Sequence, residues 1–277
     1  MRSLLVSVLL FASSPAFAEW PSDVSVTSLA QSGGSGTMDD FRDVVRELGS
    51  GLSSYNNLPA NTTGIDGFDA AVGTTFWFID AYNDDAETEW QRSHPNGQPP
   101  AFQTSPSLLI RKGLPLSTEV GLGTSWFAGS GQGAVHAFAR VGLLEGHLPW
   151  PSVTLHAGYT AYIGNDELEL GVLDLAATLG TTAPLRRHTD VTQSHISPYL
   201  TVSLLRMRAQ PVADQALLDS AGIVAIGGPD ADAESQLTSV RVQGGFQINS
   251  GAALLRTNVG WTPSASLLFG LSAGIGF

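Results

Sequence analysis

The chain has 277 residues, 43% hydrophobic and only 14% charged, with 31 glycines, 15 prolines and no cysteine. That charge content lies well below the ~25% of an ordinary globular protein. No disulfide, thiolate metal site or cysteine nucleophile is available. A net charge of −12, with Lys112 the only lysine, excludes nucleic acid as a partner.

Residues 1–18 have the three-part layout of a signal peptide. Arg2 supplies the charge, Leu4 to Ala12 the apolar stretch, and Ala16-Phe17-Ala18 the small residues of a cleavage site. The apolar stretch is too short to span a bilayer as a helix. Cleavage after Ala18 removes one arginine and no acid, taking the charge from −12 to −13. No cysteine follows the site, so acylation as a lipoprotein is excluded.

A segment at 19–63 comes next, and the spacing predicts one short helix over 37–49. Thr37 and Asp40 suit its start, Phe41, Val44, Val45 and Leu48 share one face, and Gly49 suits its end. This reads as a helix on the periplasmic side of the barrel, plugging its mouth, lying at the membrane interface with Phe41, Val45 and Leu48 against it, or forming a simple periplasmic cap. A weaker helical patch lies at Gln215 to Asp219.

From Gly64 the period becomes two. Val153, Leu155, Ala157, Tyr159, Ala161 and Ile163 alternate with small or polar residues, as do Leu267, Phe269, Leu271, Ala273, Ile275 and Phe277. Ten such segments occur, near 65–79, 102–112, 116–127, 133–145, 152–164, 167–180, 195–208, 237–248, 252–261 and 265–277. They are longer than soluble strands and suit a tilted membrane crossing. Their second face is Gly, Ser, Thr, His and Arg, unlike the Lys/Glu-rich face of a soluble sandwich. The expected fold is all-β: a closed antiparallel transmembrane β-barrel over 64–277 with about 10 strands. The alternative is 12, with extra strands in 18–30 or 209–236. Leu155, Tyr159, Val242, Phe246, Leu255, Val259, Leu271 and Ile275 share the parity that faces lipid.

An even strand number places the barrel's two ends in the periplasm and the long loops outside. That makes 80–101 and 209–236 external and leaves 181–194 as a long periplasmic connection. Export and barrel together point to the bacterial outer membrane, with its lipid as a partner and a monomer as the expected state. The chain ends on an apolar aromatic, Phe277, like the signal read by the barrel-assembly machinery.

The order Phe41-Arg42, Glu47-Leu48-Gly49, Gly67-Phe68-Asp69, Arg111-Lys112-Gly113-Leu114-Pro115 and Glu119-Val120-Gly121 resembles a family of uncharacterised proteobacterial outer-membrane β-barrel proteins. The resemblance runs from about residue 38 to the end. It implies fold and no activity, and Arg186 to Asp190 depart from the short turn it would have there.

No catalytic, cofactor or metal site emerges. Asp84-Asp85 and His188 with Asp190 fall on opposite sides of the membrane. Ser125 or Ser203 with His136 or His156 lacks a third member. Six scattered histidines show no ligand spacing. The residues of lumen parity are Glu119, His136, Arg140, His156, Tyr199, Arg241, Gln243, Arg256 and Asn258. As pairing filler in a narrow barrel they are structural; as an arginine path they would pass small anions. A third use is surface contact through Trp90, His94 and the acidic stretch 84–89.

Three local expectations follow. A turn between Gly129 and Ser130 sets Glu119 across from Arg140. A turn at Ser250-Gly251 pairs Phe246 with Leu255, Val242 with Val259 and Gln243 with Asn258. Strand six changes parity between Val172 and Leu173, which a β-bulge would repair while turning Asp174 inward.

Overall fold

A computed structural model describes residues 23–32, 37–53, 58–79, 87–94, 98–145, 151–185, 194–227, 236–263 and 265–277. Ten antiparallel strands form a closed ring: β1 (Phe68–Phe78), β2 (Phe102–Leu114), β3 (Thr118–Trp126), β4 (Gly133–Leu144), β5 (Ser152–Ile163), β6 (Leu168–Gly180), β8 (Ser194–Pro211), β9 (Leu237–Ser250), β10 (Ala253–Thr262) and β11 (Ser266–Gly276). Ladders β6–β8 and β1–β11 close the circle. The two-residue β7 (Ala183–Pro184) only clips the start of β8, on His195 and Ile196.

The ring answers the twelve-strand alternative. Among the described residues, 23–32 holds the helix α1 (Val26–Gln31), and 212–227 holds α4 (Gln215–Ala221) with a single bridge from Ile226 to Ala209.

Alternation is obeyed along nearly every strand. The eight residues with lipid-facing parity are all exposed, from 37% at Phe246 to 55% at Tyr159. Outward aromatics crowd one end of the barrel, where Phe102 lies 6.3 and 6.2 Å from Phe76 and Phe78. Trp126 and Trp261 continue that row, while Phe68 and Phe277 mark the other end. Among the described strand residues the outward charges are Lys112, Glu169, Arg206 and Arg208.

The helix α2 runs from Thr37 to Leu52, three residues past the expected end. It is not a cap outside the barrel: it lies within the lumen, with Phe41, Val45 and Leu48 at most 1% exposed. The physical reason is close approach. A Cβ at Gly51 would fall 0.8 Å from the Trp77 ring, and one at Gly49 would fall 2.8 Å from Met207 Sδ. Glycines that look like helix stops in the sequence let the helix press against the wall.

Residues 23–25 start this segment at the end with the long connections. Val24 N–H donates to Gln132 Oε1 (3.2 Å), Ser25 N–H to the Ser93 carbonyl (2.8 Å), and Asp23 accepts from Ser130 and Gly131. Residues 58–63 continue below α2 to the opposite mouth, where Gly64 meets Gly113. The described residues of this segment therefore reach from one end of the barrel to the other.

Strand six corrects a second expectation. Its ladders to β5 and β8 are regular, with no bulge. Leu168, Leu170 and Val172 point inward at 1%, 4% and 0% exposure, and Asp174 shares their side. They form the wall of an apolar core with α1, α2, Leu205, Met207, Leu237 and Leu268. Apolar parity marks lipid only where the lumen is polar, and at this end the lumen is packed like a soluble core.

The β9–β10 register is shifted by two from expectation. Phe246 pairs with Thr257, Val242 with Trp261 and Gln243 with Gly260, because the turn sits at Gly251-Ala252 with Gly251 at φ +59°. A two-residue shift preserves every facing.

Candidate functional site

The lower half of the lumen is an ionic layer. Asp69 and Arg111 stand directly opposite across β1–β2, and Glu119 and Arg140 across β3–β4. Arg111 donates to Asp69 (Nη2–Oδ2 2.7 Å) and reaches diagonally to Glu119 (3.2 Å). Arg140 donates to the same Glu119 carboxylate at 2.5 Å. Arg256 on β10 pairs with Asp69 and places Nε 2.6 Å from Gln247 Oε1. All five charged side chains are at most 3% exposed. Each group is costly to bury alone, so the alternation of signs around four strands is what permits the layer.

The N-terminal segment is wired into that layer. Arg140 Nη2 donates to the Pro59 carbonyl (2.5 Å), Thr63 N–H donates to Glu119 Oε2 (3.0 Å), and Thr154 donates to the Ala60 carbonyl. Above it, Arg241 reaches across to Asp174 (3.2 Å) and holds the end of α2 through the Ser50 carbonyl (3.1 Å) and Ser53 carbonyl (2.5 Å).

His136 sits between Ser125 Oγ (Nε2, 3.1 Å) and Thr160 Oγ1 (Nδ1, 2.9 Å), and His156 stacks on Phe138 at 5.2 Å. The serine–histidine contact has the geometry of a nucleophile and base. Its third member is a threonine, which carries no charge to stabilise an imidazolium. Ser125 is 5% and His136 2% exposed. Tyr199, Gln243 and Asn258 are also buried on the lumen side. Among the described residues no cluster of His, Asp or Glu could hold a metal.

Of the residues with lumen parity, the structure joins Glu119 with Arg140 and leaves Arg241 and Arg256 to separate acids. Asp69 and Arg111 are members of this layer that composition did not single out. Their inward parity on β1 and β2 is the signal that finds them. The Ser50, Ser53 and Pro59 contacts have no such signal.

Trp90 and His94 are not on the surface. The short helix α3 (Glu89–Arg92), closed by a Thr88–Gln91 capping box, folds onto α2. Trp90 Nε1 donates to Glu47 Oε2 at 2.6 Å, and Arg92 pairs with Asp40 at 2.7 Å. His94 donates Nδ1–H to the Trp90 carbonyl at 2.7 Å, and burial pushes its imidazole below the usual range. Of the stretch 84–89, residues 84–86 lie outside the described residues, as do His188 and Asp190.

Where the inner layer ends, a cavity of about 430 Å³ opens at the mouth with the tight turns. Asp69, Arg111, Thr63 and Gln247 stand on its floor, and Phe68 and Phe277 on its rim.

No family model matches the sequence, and no curated protein matches it either. Among solved structures, the chain is similar to Ail, the attachment invasion locus protein of Yersinia pestis, in complex with a heparin analogue, at 10% identity. That match covers 77% of this chain and 99% of that one with a TM-score of 0.27. Omp33 of Acinetobacter baumannii matches at 7% identity over 76% and 99%, TM-score 0.27. The translocator domain of the autotransporter NalP from Neisseria meningitidis matches at 10% over 92% and 98%, TM-score 0.28. Likenesses this distant add nothing to the closed ladder, which by itself makes the chain a barrel.

Proposed function

We propose that the chain is an integral outer-membrane barrel that neither conducts nor catalyses, and that it works as a rigid platform for its external connections. The observation that carries this reading is the N-terminal segment, whose described residues 23–32, 37–53 and 58–63 meet the lumen wall from the loop end to the turn end. A path for anions needs arginines with free faces. Here each lumen arginine is engaged by an acid, and Arg140 and Arg241 also by the segment's carbonyls. The serine–histidine pair is buried, at 5% and 2% exposure, with a threonine where an acid would stand.

The membrane assignment rests on the outward apolar belt and its aromatic rims, together with the leader expected at 1–18. The orientation follows from connection length, with 79–101 and 212–236 outside. The resemblance to proteobacterial outer-membrane barrels and a monomeric state belong to the same proposal.

The test uses the absence of cysteine. Val224→Cys places a thiol on an exposed external connection, and Leu116→Cys places one on the most exposed tight turn, at 58% and 90% exposure. A membrane-impermeant maleimide added to intact cells is expected to label the first, and the second only after permeabilisation. Labelling of Leu116→Cys alone reverses the orientation, and recovery of the protein in a soluble fraction defeats the membrane reading.

A further inference from the structure

Four outward charges are few for a barrel, and two of them stand two residues apart on β8. Arg206 and Arg208 project to the lipid side, just beyond Leu200, Val202 and Leu204 on the same face. At ~3.3 Å per residue their Cα atoms lie roughly 6.6 Å apart. β8 is the longest strand, with 18 residues; at the loop end β6 accompanies it to Leu168 opposite Pro211, while its pairing with β9 stops at Met207 opposite Leu237. Neither arginine makes an ion pair among the described residues, whereas every buried arginine of the lumen does.

The surroundings are suited to an anion. Arg206 lies opposite Leu173 and Thr238, and Arg208 lies opposite Gly171. Gly171 has no side chain to separate Arg208 from the hydroxyl of Tyr159, which rests over it: a Cβ there would sit 2.3 Å from Tyr159 Oη. Arg208 thus faces a glycine overlain by a phenol hydroxyl, and Arg206 lies two residues along the same face. Among the described residues, Glu169, diagonal to Arg208, is the one acidic group facing them from the packed strands.

On the reading that the loop end lies at the cell surface, we propose that Arg206, Arg208 and Tyr159 hold the phosphorylated headgroup of an acylated lipid in the outer leaflet. The forked donors of arginine match phosphate oxygens bidentately. The acyl chains then lie along Leu204, Val202 and Leu200, which a water-soluble anion would leave unused.

The probe is bisphosphorylated lipid A, titrated onto detergent-purified full-length protein and counted by native mass spectrometry. Arg206→Gln with Arg208→Gln is expected to weaken retention about tenfold, the equivalent of one or two charge-assisted hydrogen bonds. Lys112→Gln at the opposite rim is expected to leave it unchanged. The same lipid stripped of its phosphates is expected to bind wild type as weakly as intact lipid binds the double variant. Equal retention by the double variant, or equal binding of the stripped lipid, overturns the proposal. Heat-modifiable electrophoretic mobility reports folding of each variant, and Arg206→Lys with Arg208→Lys, which keeps the charge without the fork, should bind at an intermediate level. Sedimentation of cell envelopes separates the two readings: protein absent from the outer membrane defeats the location, while protein present there with unchanged retention defeats only the lipid site.

Discussion

The two halves of the lumen are filled by the same segment in opposite ways. At the loop end, α2 meets the wall as one side of an apolar core, with Phe41, Val45 and Leu48 packed among Trp77, Leu170, Val172 and Met207. At the turn end, residues 58–63 are neither helix nor strand, and their backbone groups are taken up by Arg140, Thr154 and Glu119. A helix satisfies its own backbone and so needs only shape and apolar contact. An irregular strip inside a barrel has no ladder or helix partner, so the wall must supply donors and acceptors. The difference explains why charges concentrate in the lower half.

The largest effect should come from the ionic layer. Glu119→Gln leaves Arg140 with a carbonyl as its remaining partner and is expected to cost about 3–5 kcal/mol, read by urea unfolding in detergent. In a Glu119→Gln background, Arg140→Gln should cost far less than it does alone. Additive losses would mean the two are not coupled.

In the apolar half, Leu170→Ala should cost about 2–5 kcal/mol by opening a cavity. Leu173→Ala, three residues on and facing outward, should cost roughly 0.5 kcal/mol or less. Equal costs would mean that the wall of β6 faces lipid on both parities.

Gly51→Ala tests the close approach, with an expected cost of about 1–3 kcal/mol from overpacking against Trp77. A neutral result would place α2 farther from the wall.

The smallest effect is pH-dependent and local to α3. His94 prefers the neutral form when docked, so its contribution is whole above about pH 6.5 and is lost as pH falls below that. Hydrogen exchange over residues 88–94 should quicken as pH falls from 7 to 5, after correction for intrinsic rates. His94→Gln should flatten that dependence.

The barrel was legible because period two survives along nearly every strand, and parity identified the lipid face of eight residues on four strands. Glu119 opposite Arg140 was legible as well, since a symmetric turn at Gly129-Ser130 fixes register. The β9–β10 turn was misplaced by two because Ser250-Gly251 and Gly251-Ala252 are both feasible, and facing does not distinguish them. The filled lumen was not legible. Helix 37–49 has one apolar stripe whether it lies on a membrane or inside a wall, and Leu168, Leu170 and Val172 carry no mark of which side they serve. Only the wall residues they meet, remote in sequence, decide it. Trp90 and His94 were misread as contact residues for the same reason.

The central claim is that α2 and residues 58–63 close the barrel, and planar-bilayer recording of the purified full-length protein tests it most directly. Wild type is expected to show no sustained open level. Gly51→Leu, which drives a larger side chain into Trp77, is expected to show intermittent openings as the segment is displaced. Steady, unitary conductance from wild type, unchanged in Gly51→Leu, would contradict the account.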